Sequence, residues 1–310
     1  MAKIGNYTIS GLKTEGNKTV TYTSDVPGEN PAVGRIPVNK NLLGVNLTID
    51  VFSDVDTGDP GYTGFGGDYD VKIHCLTPIR RMRIGTGAVK NDVVANVRSD
   101  AMYLAMDAVF SPAAAVLPTL AVAATGAAAH YFVNLHLPIR INKSDHSDYW
   151  YEFDMSTEAE WITTVANQTM TSVEFRFQNV YTNDTVQTVY WTDANSGAID
   201  SASGASMGDG QGFTHGMTLM GLVISGEQAG TEDLVRVIIE DHGKTIYDED
   251  IDDHWRTIGI NTYGKINRTD FKNVMIIVFE PFVVGATSKL KIATSASQDY
   301  QLTYIRADAP

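Results

Sequence analysis

Residues 43–52 read LGVNLTIDVF. Val45, Leu47, Ile49 and Val51 alternate with Asn46, Thr48 and Asp50. Successive side chains of an extended chain point to opposite faces, so this alternation gives one apolar face and one polar face. That is the pattern of a strand buried on one side. The same reading places strands at 71–84, 131–141, 172–181, 185–191, 217–225, 234–240, 274–284, 289–294 and 300–306. Gly, Asn, Asp and Pro separate them, as turn geometry requires. Long helical segments do not alternate with the strands, so a parallel sheet built from βαβ units is not expected. The expected class is all-β and antiparallel.

Three short helical signals interrupt the strands. Ser99-Asp100 caps a segment that places Met102, Met106 and Val109 on one face. Thr157-Glu158-Ala159-Glu160 is a capping box ahead of Trp161, Ile162 and Val165. Residues 248–253 predict the opening of a third helix, with Ile251, Trp255 and Ile258 at i, i+4 and i+7. Its acids fall at the end where the helix dipole favours negative charge. All three are expected to pack on the rim of a β barrel.

The sharpest change of composition is 194–212, ANSGAIDSASGASMGDGQG. Few large apolar residues occur there, and the stretch reads as a linker or long surface loop. The expected organisation is an N-terminal arm with the first strands over 1–41, a first β unit over 42–195, a linker over 196–212 and a second β unit over 213–310. The two units echo each other. Ile79, Met82 and Ile84 lead through Gly85-Thr86-Gly87 to Val93-Val94, then to the Ser99 helix and the strand ending at Pro138-Ile139. Likewise 235–239 leads through Asp241-His242-Gly243 to Thr245-Ile246, then to the acidic helix and the strand ending at Pro281-Phe282. This order of elements predicts a duplicated unit, without a residue-level repeat.

Composition narrows the function classes. The chain has 310 residues, 43% of them hydrophobic, which is too apolar for disorder. Its net charge of −14 argues against direct genome binding, because phosphate neutralisation needs Lys and Arg. The charge does not separate: residues 1–195 carry 14 basic and 21 acidic side chains and residues 196–310 carry 9 and 16, so each part nets −7. The single cysteine, Cys75, excludes an intramolecular disulfide framework and any CxxC metal site. Residues 1–12, MAKIGNYTISGL, lack the apolar run of a signal peptide, so none is expected there. The uncharged stretch 113–137 is rich in Ala and holds Pro118, Gly126, His130 and His136, which suits a buried loop and strand rather than a membrane helix.

No residue set reads as a catalytic constellation. Gly204-Ala205-Ser206-Met207-Gly208 matches GxSxG, but Ser206 lies in a Gly/Ser stretch without the strand-to-helix turn of a nucleophile elbow. The histidines (His74, His130, His136, His146, His215, His242 and His254) form no zinc spacing and read as structural or surface residues. The best cation candidate is Asp54, Asp56 and Asp59, closely spaced carboxylates in a Gly-containing loop of the kind that suits Ca²⁺. It departs from the EF-hand pattern at Gly58 and Phe65, and a solvated loop explains the same residues. The run Asp248, Glu249, Asp250, Asp252, Asp253 reads chiefly as a solvated helix start. The aromatics of 149–153, YWYEF, suit barrel core or interface anchors, with an exposed sugar platform as the alternative.

Two antiparallel units in tandem, with helices in the barrel loops and no catalytic set, resemble the double jelly-roll major capsid proteins of the tectivirus–adenovirus lineage. The residues carrying the resemblance are the strand–turn–strand–helix units around 79–110 and 234–258, with strands 130–141 and 274–284. The size is similar to the small versions in membrane-containing icosahedral phages, the corticoviruses and finnlakeviruses. The resemblance implies two tandem jelly rolls, homotrimers acting as pseudo-hexameric capsomers, and contacts with neighbouring capsomers and with penton or minor capsid proteins. It further implies an icosahedral virion shell around an internal lipid membrane, assembled in the host cytoplasm, without enzymatic activity or direct nucleic-acid binding. A jelly-roll module that binds carbohydrate or a receptor, as in a spike or lectin, is the alternative reading.

Overall fold

The computed structural model describes residues 13–22, 32–55, 79–87, 92–98, 120–121, 129–137, 139–155, 168–226, 233–261 and 273–307. The first part of the chain supplies β1 (Lys13–Tyr22), β2 (Ala32–Pro37), β3 (Asn41–Val55), β4 (Ile79–Thr86) and β5 (Asp92–Arg98). It continues with β6 (Leu120–Ala121), β7 (Ala129–Leu137), β8 (Asp148–Met155) and β9 (Gln168–Thr182). The second part supplies β10 (Tyr190–Ile199), β11 (Ala205–Met207), β12 (Thr218–Gly226), β13 (Leu234–Asp241) and β14 (Lys244–Asp250). After the helix α1 (Ile251–Asn261) come β15 (Val274–Val283), β16 (Lys289–Thr294) and β17 (Gln298–Arg306).

These strands form a five-stranded sheet β1-β9-β3-β7-β6, a four-stranded sheet β11-β16-β13-β14, and an eight-stranded sheet β15-β12-β17-β10-β5-β4-β8-β2. Neighbouring strands are antiparallel except at β5–β10. That parallel pair divides the large sheet into two halves, and each half faces one of the smaller sheets. The first sandwich is β1-β9-β3-β7-β6 over β2-β8-β4-β5. Across it, the ring of Tyr151 lies 4.6 Å from that of Phe177, and Phe153 meets Phe175 edge-on at 5.4 Å. The second sandwich is β10-β17-β12-β15 over β11-β16-β13-β14, where buried Tyr300 reaches across to donate to Thr294 Oγ1 at 3.1 Å.

The duplication extends to register. Taken by position in their units, β1, β9, β3, β7 correspond to β10, β17, β12, β15, and β2, β8, β4, β5 to β11, β16, β13, β14. The β3–β9 ladder runs Leu42↔Tyr181, skips one residue, and resumes at Gly44↔Val180. Its twin runs Leu219↔Arg306, skips one residue, and resumes at Gly221↔Ile305. In the hairpins, Ile84↔Ala95 is followed by Gly85↔Val93, and Ile239↔Tyr247 by Glu240↔Thr245. Val94 and Ile246 are therefore the bulged residues of twin hairpins. Residue-level correspondence exists although the side chains differ, because a bulge constrains backbone pairing rather than side-chain identity.

Several expectations are corrected. Of the expected arm with the first strands over 1–41, the described part is sheet: β1 is hydrogen-bonded to β9 and β2 to β8, so both are strands of the first sandwich. The 196–212 stretch is not a linker. It holds the end of β10, all of β11 and a short 3₁₀ helix (Asp209–Gln211), and β10 pairs with β17, which groups it with the second sandwich. Its small residues serve tight geometry: Gly212 has φ 79°, and its Cα faces the Tyr304 ring and Ala194 so closely that a methyl would stand 2.6 Å and 2.9 Å from them. Asp248, Glu249 and Asp250 end strand β14, and the helix opens only at Ile251. Residues 185–189, expected at the start of a strand, precede β10 without strand pairing. The expected helices after Ser99 and Thr157 lie outside the described residues, as does 71–78 of the expected strand 71–84.

Candidate functional site

The acidic loop is not brought together among the described residues. Asp54 sits at the end of β3 opposite Thr169, while Asp56 and Asp59 lie outside the described residues. No group of three His, Cys, Asp or Glu side chains able to hold a metal occurs among the described residues. Ser206 is in the middle of β11 opposite Lys291, with its side chain exposed. A strand runs through it, so the sharp turn that activates a nucleophile is absent there. The aromatic stretch is core: Tyr149, Trp150, Tyr151 and Phe153 are all buried. Tyr149 donates to Asn179 Oδ1 at 3.0 Å, and Asn179 Nδ2 donates to the carbonyl of Pro37 and the hydroxyl of Tyr181, each at 3.0 Å. Burial pushes the Tyr149 hydroxyl well above the usual tyrosine range. These rings present no platform for a sugar.

Among the described residues the histidines do not converge. His74 and Cys75 lie outside the described residues, and His130 and His136 sit on β7 opposite Phe52 and Asn46. His215 is exposed, and His242 lies in the β13–β14 turn with φ 49° and Nδ1 at 3.0 Å from Asp241. His254 is different: it is buried on α1. Its Nε2 accepts the main-chain N–H of Ile276 at 3.1 Å, and its Nδ1 is 3.3 Å from Glu249 Oε2. The Tyr247 hydroxyl donates to the same Glu249 oxygen. The His254 ring and the Tyr247 hydroxyl hold the Glu249 carboxyl below the usual carboxylate range. This cluster clamps α1 between β14 and β15, a structural role. It was hidden by reading 248–253 as helix; strand alternation puts Tyr247 and Glu249 on one face, with His254 in the turn that follows. Asp248 is engaged in two bonds from Arg236, at 2.6 and 2.7 Å, and Asp253 in one from Arg256 at 2.7 Å. The acidic run is thus largely cross-paired.

What the structure does present is a seam and a set of sheet edges. At the seam β5 and β10 run side by side, Ala95 opposite Trp191 and Asn96 opposite Thr192. Trp191 is fully buried there. Arg81 Nε donates to Asn96 at 2.8 Å, and the Arg81 guanidinium lies 3.7 Å from Asp193 on β10, so one side chain from the first sandwich ties both strands. Elsewhere, among the described residues, the sheets end in edge strands, including β1, β2, β14 and β15. Three of these carry exposed aliphatic residues: Val33 on β2, Ile246 on β14 and Val283 on β15. Exposed edges with apolar side chains are surfaces for further strand pairing or packing.

No protein-family model matches the chain, and no curated protein sequence matches it. Solved structures do. A crystal structure of the Sulfolobus turreted icosahedral virus major capsid protein superposes with a TM-score of 0.65 at 8% identity, covering 94% of this chain and 96% of that one. A chain from the atomic structure of the same virus gives 0.61 at 9% identity, covering 94% and 90%. The major capsid protein P2 of bacteriophage PM2 gives 0.54 at 10% identity, covering 94% and 97%. At such identities the shared property is the fold, and the chain is a double jelly roll over nearly its whole length.

Proposed function

We propose that this chain is the major capsid protein of a membrane-containing icosahedral phage, a structural protein whose homotrimers serve as pseudo-hexameric capsomers. The observation that carries the reading is end-to-end correspondence with two viral major capsid proteins, covering 94% of this chain in each case. Charge agrees with it. Residues 1–40 hold five basic and three acidic side chains, far short of a genome-binding arm. A shell separated from its genome by a lipid membrane needs no such arm, and Lys3, Lys13 and Lys18 suit proximity to anionic headgroups. The finished shell adds penton or minor capsid proteins and assembles in the host cytoplasm. The binding-module alternative loses its motivating residues, since the 149–153 aromatics are in the core.

Each copy carries −14, so copies associate only where close contacts outweigh the long-range repulsion. Repulsion beyond about 8 Å is screened at physiological salt. A stable capsomer of this kind calls for interfaces on the order of 2,000 Å². The test is light scattering and negative-stain imaging of the purified full chain. Three-chain particles with a pseudo-hexagonal outline are expected; a stable monomer at micromolar concentration overturns the reading.

A further inference from the structure

The twin registers make the intrachain seam a template for a contact between copies. Ala95 and Asn96 of β5 correspond to Tyr247 and Asp248 of β14, because each set directly follows the bulge of its hairpin. Trp191 lies opposite Ile305, which lies opposite Gly221; Thr14 lies opposite Val180, which lies opposite Gly44. Gly221 and Gly44 both follow the corresponding bulge, so Thr14 and Glu15 of β1 correspond to Trp191 and Thr192 of β10. Within the chain β5 and β10 are joined. Their twins, β14 and β1, are each the outermost strand of a sheet among the described residues.

We propose that β14 of one copy pairs in parallel with β1 of the next, Tyr247 opposite Thr14 and Asp248 opposite Glu15. The four-stranded sheet of one chain then continues into the five-stranded sheet of its neighbour, as the two halves of the eight-stranded sheet do at β5–β10. This rests on the capsomer reading, in which three such joints close a ring. The contact joins two different patches, so it generates a ring or a filament and never a two-fold dimer.

Two further observations favour a second copy as the occupant. Val94, the bulged residue of the first hairpin, is 3% exposed, whereas its twin Ile246 is 44% exposed. The position that is covered in the first sandwich is uncovered in the second. The strands are also opposite in charge: β14 contains Lys244, Asp248, Glu249 and Asp250, and β1 contains Lys13, Lys18 and Glu15. The juxtaposition of Asp248 with Glu15 is relieved by Arg236, which already holds Asp248 in a bidentate pair.

The test uses the full chain in a Cys75→Ser background. Glu15→Cys with Asp248→Cys, treated with a short bis-maleimide, is expected to give a denaturing-gel ladder that ends at three chains. Either cysteine alone, or Val33→Cys with Asp248→Cys, is expected to give none. Ile246→Asp is expected to convert three-chain particles to single chains with an unchanged β-type circular dichroism spectrum. Three-chain particles without the Glu15/Asp248 ladder overturn this joint and leave the capsomer reading standing. A single-chain mass for the unsubstituted protein overturns both.

Discussion

The main-chain N–H of Ile276 donates to Nε2 of His254 at 3.1 Å, tying β15 to the first turns of α1. An acceptor at Nε2 places the neutral ring's proton on Nδ1, which faces Glu249 Oε2 at 3.3 Å. One buried imidazole thus satisfies a strand amide and a carboxylate on the preceding strand. His254→Ala removes both contacts and strands the buried amide, an expected loss of about 1–3 kcal/mol before any cavity term. Thermal melting measures it, and an unchanged melting temperature would refute the clamp.

Acid should loosen the same corner. The Glu249 and Asp248 carboxyls are held below the usual range, by His254 and by Arg236 respectively. A folded-state value below the unfolded one contributes stability above the unfolded value, near pH 4, and that contribution is lost as pH falls further. The melting temperature is expected to drop below about pH 4, with a shallower drop in Glu249→Gln. Equal acid sensitivity in the two proteins would exclude Glu249 from that transition.

Gly212 tolerates no side chain. Its φ of 79° is left-handed, and a Cβ there would lie 2.6 Å from the Tyr304 ring. The Tyr304 hydroxyl is held by the Gln211 carbonyl at 2.7 Å, so the ring cannot swing aside without losing that bond. Gly212→Ala is expected to cost about 1–3 kcal/mol in backbone strain alone. Gly197 is also at positive φ (68°), but a methyl added there would meet nothing within 4 Å, so the same change should cost less. Equal losses at both sites would show that crowding by Tyr304 is immaterial.

The aromatic core of the first sandwich should dominate its stability. Phe177 is 1% exposed and packs against Tyr151 at 4.6 Å between ring centres. Phe177→Ala is expected to cost about 3–5 kcal/mol, as large-to-small changes of buried aromatics do. Retention of the wild-type melting temperature would place Phe177 outside the cooperative core.

A Ca²⁺ ion at Asp54, Asp56 and Asp59 is the chain's one proposed cation site, resting on closely spaced carboxylates in the sequence. Binding raises stability by about 2.7 kcal/mol at a hundred times the dissociation constant. Melting with calcium and with chelator, in wild type and in Asp56→Asn, measures it. A wild-type melting temperature indifferent to calcium assigns the loop to solvent.

Period-two alternation in stretches such as 43–52, and the repeated order of strand, turn, strand, helix and strand, carried the class and the tandem organisation from the sequence alone. Those features are local: they record which face of a segment avoids water and where the chain must turn. The partnering of strands was not legible. β1 and β2 carry little alternation, and the Gly/Ser stretch hides β10 and β11, because the pairing of these strands is supplied by main-chain hydrogen bonds to segments far along the chain. The Tyr247–Glu249–His254 cluster was likewise invisible while 248–250 read as helix. Hairpin pairing with β13 outweighed the helical reading of the acidic run. Composition and periodicity determined that two β units exist. Only the tertiary structure decided that β5 and β10 join them and that Ile246, unlike Val94, is left exposed on the outermost described strand of its sheet, because which strand neighbours which is set by pairing between distant segments, and a sequence records only the strands themselves.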